Sequence, residues 1–177
     1  GDVYKRQVLG IISGSNALYH DLEHTVLVTG VGVQILRGRQ IRDGHLSPWD
    51  WLNAVVALLC HDVGYVAGIC ATDSAESYAD GVGGRIILPA GHTDAALAPW
   101  HVSRGQQFIR RRFTDSPLLD VEAICANIER TRFPVPDDDD HAGTDDYPGL
   151  IRGADLIGQL SDPNYLNRQA ALFFEFE

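Results

Sequence analysis

The chain is poor in several residue types, and each scarcity argues against a particular class of protein or binding site. It contains no methionine, and Lys5 is its only lysine, so arginine supplies the rest of the positive charge. Carboxylates outnumber basic side chains 24 to 14, which gives a formal net charge of -10. Scaffolds that bind nucleic acid need clustered Lys and Arg to neutralise phosphates, so we expect no binding of that kind.

Cysteine and long apolar runs are also scarce. Cys60, Cys70 and Cys125 are an odd number without C-x-x-C spacing, which indicates neither a disulfide framework nor a thiolate zinc site. No run of about 18 apolar residues is present, so we expect no membrane span. A length of 177 residues with 45% hydrophobic content is enough to bury a core, so we expect one domain. The absence of a disulfide pattern fits a reducing compartment, so we expect this domain to be cytoplasmic.

The two ends of the chain are unusual. The opening stretch GDVYKRQ lacks a start methionine and resembles a translated transposon-adapter segment, so we expect residues 1–7 to be non-native. Residues 8–177 would then form the single domain. The chain stops in ALFFEFE, an apolar run without a capping signal. We therefore interpret the chain as cut at one or both ends.

The spacing of apolar residues predicts helices and almost no strands. We expect helices from Ala17 to about Arg39, from Pro48 to Asp62, and over about 98–113, 120–131, 148–161 and 163–174. Ser47 is a typical N-cap residue and Pro48 suits the first helical turn. Glycines and scattered polar residues predict a long loop at about 66–92. The predicted fold class is an all-α helical bundle.

Five side chains form a pattern that favours a metal site. His20 and His24 are four residues apart, which places both rings on one face of a helix. His61 and Asp62 follow an apolar stretch, and Asp155 is flanked by apolar residues. A carboxylate is rarely buried without a partner, so we expect these side chains to share one site. For His20 alone, packing at the start of the helix is the alternative.

The order of these residues, with the segments ALLCHDVGY and ADLIGQLSDP, resembles the HD superfamily of metal-dependent phosphohydrolases over about Ala17 to Phe174. The resemblance implies an HD-type helical bundle. It also implies four ligands of a divalent metal ion: His24, His61, Asp62 and Asp155. Mn(II), Fe(II), Zn(II) or Ni(II) suits such ligands, and Mg(II) suits them less strongly.

The segment YHDLEH is similar to the Tyr-His-Asn...His stretch of cyclic-nucleotide phosphodiesterases, with Asp21 in place of Asn. That similarity implies that His20 is the catalytic proton donor. His101, in HVSRG, resembles an additional ligand of the binuclear HD-GYP branch, and Glu129 falls near the paired histidines of that branch. The resemblance thus implies one or two ions, with Asp62 catalytic and bridging both.

Together these features predict a metal-dependent phosphohydrolase or phosphodiesterase that hydrolyses a nucleotide or other small phosphoester with metal-activated water. Three arginines are candidates for binding phosphate oxygens: Arg130, Arg132 and Arg152. Two alternatives stay open, a di-iron oxygenase with this fold and a regulatory domain that binds metal or nucleotide without turnover. The remaining histidines we interpret as exposed loop residues: His45, His92 and His141.

Overall fold

The computed structural model describes the backbone of residues 2–176 and the side chains of residues 5–173 and of Glu175. Seven α-helices dominate this part of the chain: α1 (Asp2–Ile12), α2 (Leu22–Asp43), α3 (Pro48–Cys60), α4 (His101–Phe113), α5 (Val121–Glu129), α6 (Tyr147–Leu160) and α7 (Tyr165–Phe176). The predicted all-α fold class is confirmed. Within these residues, no helix combines the length and apolar content that a bilayer crossing requires.

Helix α3 lies at the centre of the bundle. Its sequence is apolar around most of its circumference, as expected for a helix that is packed on several sides. Leu59 belongs to a buried cluster shared with α1, α4 and α5, while Leu58 belongs to a second cluster shared with α2 and α6. The predicted cap at Ser47 is confirmed, since its hydroxyl accepts a hydrogen bond from the Asp50 N–H at 3.0 Å. The His61-Asp62 pair therefore follows the most central helix.

Helix α2 begins later than the sequence pattern predicts. We expected a helix from Ala17, but α2 begins at Leu22 and Asp21 is its N-cap residue. Oδ1 of Asp21 accepts a hydrogen bond from the His24 N–H at 2.9 Å, an arrangement that aspartate strongly favours. The prediction that His20 and His24 share one helix face is therefore wrong. Their ring centroids nevertheless lie 5.4 Å apart.

Residues that we had set aside at the start of the chain form part of α1. Val8 and Ile12 of this helix are buried against the cluster of α3, α4 and α5. Their spacing of four places both on one helix face, which explains how a short helix is held on the bundle. The origin of residues 1–7 stays a prediction.

The predicted loop at 66–92 is irregular except for a small antiparallel pair, β1 (Tyr78–Ala79) and β2 (Arg85–Ile86). A buried ion pair orders it, because Asp73 lies 2.9 Å from the guanidinium of Arg104 in α4. Asp73 also accepts three backbone hydrogen bonds from the loop: Gly68, Cys70 and Ala79. The arginine donates to three carbonyls: Gly64, Val66 and Ala79. The loop is thereby fixed to the start of α4.

Gly64 allows the segment after the His61-Asp62 pair to touch α4. This segment is a 3-10 helix, Val63–Tyr65. A Cβ atom at residue 64 would lie 1.7 Å from the carbonyl oxygen of His101 and 2.8 Å from the Gly105 nitrogen. Both contacts are with backbone, so a side chain at this position cannot be accommodated by a rotamer change.

We expect Gly64→Ala to lower the free energy of unfolding by about 1–3 kcal/mol, the usual cost of overpacking a tight contact. Gly38→Ala is the matched control, because a Cβ there meets nothing within 4 Å in the described chain and alanine favours the helix by up to about 1 kcal/mol. Urea unfolding measures both. Equal stability of the two variants would contradict the proposed contact.

Candidate metal centre

Four side chains from three parts of the bundle meet at one point. His24 comes from α2, the His61-Asp62 pair follows α3, and Asp155 comes from α6. The Nε2 atoms of the two histidines are 3.4 Å apart. Oδ2 of Asp62 lies 3.3 and 3.0 Å from these nitrogens, and Oδ1 of Asp155 lies 3.4 and 3.6 Å from them. We call these four side chains the ligand group.

The ligand group fits a metal ion. Bonds of about 2.0–2.2 Å at tetrahedral or octahedral angles place neighbouring ligand atoms about 2.8–3.6 Å apart, which matches the observed separations. Oδ2 of Asp62 is buried and has no hydrogen-bond partner among the described residues. Such an atom is costly unless a cation compensates it. The donor set and this oxygen, which faces two ring nitrogens at 3.0 and 3.3 Å without a hydrogen bond, both favour a divalent ion.

Contacts behind the ligand group orient one of its rings. Nδ1 of His61 lies 2.8 Å from the carbonyl oxygen of Leu58. A carbonyl oxygen can only accept, so Nδ1 carries the proton and donates it. In the neutral ring this leaves the lone pair of Nε2 directed at the other ligands, as in most protein metal sites.

The charges of the ligand group shift the ionisation of its members. Burial disfavours protonation of His24, but the carboxylates of Asp155 and Asp62 outweigh burial and raise its pKa to about 10. Burial also opposes ionisation of Asp62, yet the neighbouring His61 and His20 hold its pKa well below the usual range. In the metal-free protein a proton thus takes the position that a cation would occupy.

This proton makes the stability of the metal-free protein depend on pH. The folded state binds a proton at His24 more tightly than the unfolded state does, so the stabilisation is complete below pH 6.5 and is lost as pH rises toward about 10. We expect the free energy of unfolding of chelator-treated protein to fall between pH 6.5 and 8. Urea titrations measure it, and His24→Gln should flatten the trend. A stability that rises with pH in the wild type would contradict this account.

His20 lies beside the ligand group and is held by a residue that the sequence analysis missed. Its Nδ1 contacts Oε2 of Glu175, whose other oxygen accepts a hydrogen bond from the Tyr19 N–H at 2.6 Å. Burial opposes ionisation of Glu175, but the bond from His20 lowers its pKa below the usual range. The only signal in the sequence was an acidic residue inside the apolar run FFEF.

His101 also reaches the site. Its Nδ1 lies 2.5 Å from the carbonyl oxygen of Ala98 and therefore donates, while Nε2 lies 4.0 Å from Oδ1 of Asp62. Burial lowers the pKa of His101, so the neutral ring is favoured. The lone pair of Nε2 and the carboxylate oxygen then face each other as two hydrogen-bond acceptors. A small molecule such as water, which can donate a hydrogen bond to each, suits the space between them.

Glu129 is not brought to the ligand group by any contact in the described chain. Its carboxylate lies 2.5 and 2.9 Å from the guanidinium of Arg132 and accepts a hydrogen bond from Gln106 at 2.8 Å. Both of its oxygens are occupied in this way. The structure therefore gives no support to Glu129 as a ligand.

The three candidate arginines have contacts elsewhere. Arg132 pairs with Glu129, and Arg130 donates to the Gly143 carbonyl at 2.7 Å. Arg152 donates from Nε to the Arg130 carbonyl at 2.9 Å, but its buried Nη2 has no partner among the described residues. Of the three, Arg152 alone keeps such a buried N–H group without a partner, and it lies one turn before Asp155 on α6.

The other histidines differ in burial. His45 is exposed, as expected. His92 is half-buried and its Nε2 lies 3.0 Å from the hydroxyl of Tyr78. The interpretation of His141 as exposed is wrong, because this residue is 8% exposed and its Nδ1 pairs with Asp138 at 2.6 Å. A 3-10 helix at Asp139–His141, capped by Asp138, turns its ring inward.

Comparison with known proteins gives one result. A family model described as Npun_R2479-like matches residues 5–177. The chain belongs to the Npun_R2479-like family. No curated protein and no solved structure matches it. The resemblance to the HD superfamily therefore rests on the motif residues alone.

In this Npun_R2479-like chain the ligand group is largely enclosed. His24, His61 and Asp62 are buried, whereas the Asp155 side chain is 21% exposed. A cavity of about 620 Å³ lies nearby, between the end of α1, the start of α2 and the turn at 161–163, but no member of the ligand group lines it. The ligand group is a candidate site because of its chemistry rather than the size of a cavity, and Asp155 is its most accessible member.

Proposed function

We propose that the chain is an HD-type metal-dependent phosphohydrolase that hydrolyses a nucleotide or another small phosphoester. The observation that carries this proposal is the convergence of two imidazoles and two carboxylates, with separations of 3.0–3.6 Å, beside a histidine paired with a buried carboxylate. A binding role alone does not require this third histidine, His20.

The ligand group would hold one divalent ion. When bound, such an ion lowers the pKa of a water molecule and neutralises developing charge on phosphate oxygens. Asp62 presents Oδ2 to the two ligand histidines and Oδ1 to His101. Its carboxylate therefore connects the ion position to the position of the attacking water.

His20 has the arrangement of a general acid. Glu175 holds its Nδ1, which leaves Nε2 to donate a proton to the leaving oxygen of the ester as the bond to phosphorus breaks. The carboxylate of Glu175 stabilises the imidazolium before that transfer. The ring lies 5.4 Å from the ring of His24, so the proton donor stands beside the ligand group.

His101 is placed to orient the attacking water, a task separate from that of His20. Water between Nε2 of His101 and Oδ1 of Asp62 can donate one hydrogen bond to each, which resolves the contact between two acceptors. Glu129 is engaged by Arg132 and Gln106, so it is not free to bind a second ion beside His101 and Asp62. We therefore propose one ion per chain.

We expect His101→Ala to keep its metal while slowing hydrolysis, because the variant loses only the group that orients water. Metal content measured by plasma mass spectrometry and the rate on one phosphoester test this together. The control is His45→Ala, an exposed histidine, which should change neither quantity. Two ions per wild-type chain, with one lost in His101→Ala, would overturn the one-ion proposal.

The activity itself is tested with purified protein loaded in turn with Mn(II), Fe(II), Zn(II), Ni(II) or Mg(II). The panel contains nucleoside monophosphates, cyclic nucleotides and aryl phosphodiesters, and release of phosphate or phenol is measured. We expect hydrolysis of at least one class, lost with chelator and restored by metal. Dioxygen consumption without hydrolysis would favour an oxygenase. Tight metal binding with neither activity would favour a regulatory domain.

A further inference from the structure

Tyr65 separates the two histidines to which the proposed mechanism gives different tasks. It ends the 3-10 helix after the His61-Asp62 pair and is 2% exposed. Its ring is stacked on His20, with centroids 4.5 Å apart and an interplanar angle of 9°. Its ring is also stacked on His101, with centroids 4.5 Å apart and an angle of 23°.

The Tyr65 ring adds to the hydrogen bond that each of these histidines has at Nδ1. His20 is held at Nδ1 by Glu175, and His101 is held at Nδ1 by the Ala98 carbonyl. A hydrogen bond at Nδ1 does not by itself prevent rotation of a ring about that contact, which would move Nε2. A flat aromatic neighbour at van der Waals distance blocks the swing on one side of each ring.

The backbone around Tyr65 is fixed from α4. The buried guanidinium of Arg104 donates to the Gly64 carbonyl at 2.8 Å and to the Val66 carbonyl at 3.1 Å. These carbonyls flank Tyr65 on both sides in the chain. Asp73 balances the charge of the arginine at 2.9 Å. Hydrogen bonds from α4 therefore hold the backbone on both sides of the tyrosine.

We propose that Tyr65 is a positioning residue whose ring sets the directions of Nε2 in His20 and in His101. The inference rests on the proposed function, because it assumes that His20 donates the proton to the leaving oxygen. The contacts involve the ring faces, so the ring rather than the hydroxyl performs this role. The raised pKa of Tyr65, caused by burial and then by the charge of Asp62, is consistent with a phenol that stays neutral.

The test compares Tyr65→Phe, which keeps the ring, with Tyr65→Met, which keeps apolar bulk without a ring. Tyr78→Met is the matched control, because Tyr78 is also buried and has an edge contact with His92, outside the ligand group. We expect Tyr65→Met to lose about 10²-fold in rate on esters with poor leaving groups, the usual effect of a misplaced catalytic group, and less on activated esters. Its metal content should be unchanged.

Tyr65→Phe should restore most of the rate, and Tyr78→Met should not reproduce the dependence on the leaving group. An equal loss in Tyr65→Phe and Tyr65→Met would overturn the role of the ring. If His20→Ala has no effect on rate, the proposed function fails. If His20→Ala is slow while Tyr65→Met matches the wild type, only the inference about Tyr65 fails.

A measurement on the wild-type protein keeps the inference testable should Tyr65→Met not fold. Protons of His20 and His101 that lie over the Tyr65 ring should resonate upfield in the NMR spectrum because of its ring current. Tyr65→Phe should keep both shifts. Imidazole resonances at the positions of solvent-exposed His45, with no contact to the Tyr65 ring, would overturn the inference.

Discussion

Asp62→Ala is expected to lose its metal and all turnover. Asp62 presents Oδ2 at 3.0 and 3.3 Å from the nitrogens of two other ligands and Oδ1 toward His101, so its removal affects the ion and the attacking water together. Loss of residues that only orient metal ligands reduces affinity about 10- to 100-fold, so loss of a ligand should exceed about 100-fold. Metal titration of chelator-treated protein measures this.

Asp94→Ala is the matched control for that variant. Asp94 is a buried aspartate that accepts a hydrogen bond from the Asn16 N–H at 3.3 Å and has no part in the ligand group. We expect this variant to bind metal and to turn over substrate even if it is less stable. Metal bound to Asp62→Ala with wild-type affinity would show that the ligand group is not the metal site.

His20→Ala is expected to separate catalysis from metal binding. The ring of His20 is held by Glu175 beside the ligand group without being one of its four members, so the variant should retain its ion. Loss of a general acid typically reduces the rate by about 10²- to 10⁴-fold. Esters with activated leaving groups need little protonation, and the variant should hydrolyse them at nearly the wild-type rate.

Glu175→Gln tests the contribution of the carboxylate that holds His20. The amide cannot stabilise an imidazolium as a carboxylate does, so we expect the same dependence on the leaving group with a smaller loss. In the His20→Ala background the added change should have little effect, because the two residues act as one unit. Two results would contradict the role of His20 as proton donor: loss of metal from His20→Ala, or an equal loss of hydrolysis rate on esters with poor and with activated leaving groups.

Local signals in the sequence predicted those parts of the fold that depend on neighbouring residues. The cap at Ser47, the apolar helix α3 and the irregular segment at 66–92 follow from such signals. The start of α2 was misplaced because the predicted helix was extended back to Ala17, whereas the N-cap bond of Asp21 makes α2 begin at Leu22. The hairpin of β1 and β2 depends on Asp73 and Arg104, a contact between residues 31 positions apart.

The residues of the candidate site also include some that the sequence predicted and some that only the folded chain reveals. The four members of the ligand group were predicted from their order and context, and the structure brings them together. Glu175 was missed because it contacts His20 across 155 residues, and nothing near it in sequence signals that contact. Glu129 and Arg132 were proposed for separate roles from their residue types, but they pair with each other at a spacing of three. Sequence reveals which groups are available, and packing decides which of them are already engaged.

The most direct test of the metal centre is the X-ray absorption spectrum of the wild-type protein loaded with Mn(II) or Zn(II). We expect a first shell of nitrogen and oxygen at about 2.0–2.2 Å, with the multiple scattering of two imidazole rings from His24 and His61. The same spectrum should lack sulfur, because the three cysteines are buried outside the ligand group. A first shell of oxygen alone, without imidazole scattering, would contradict the central claim.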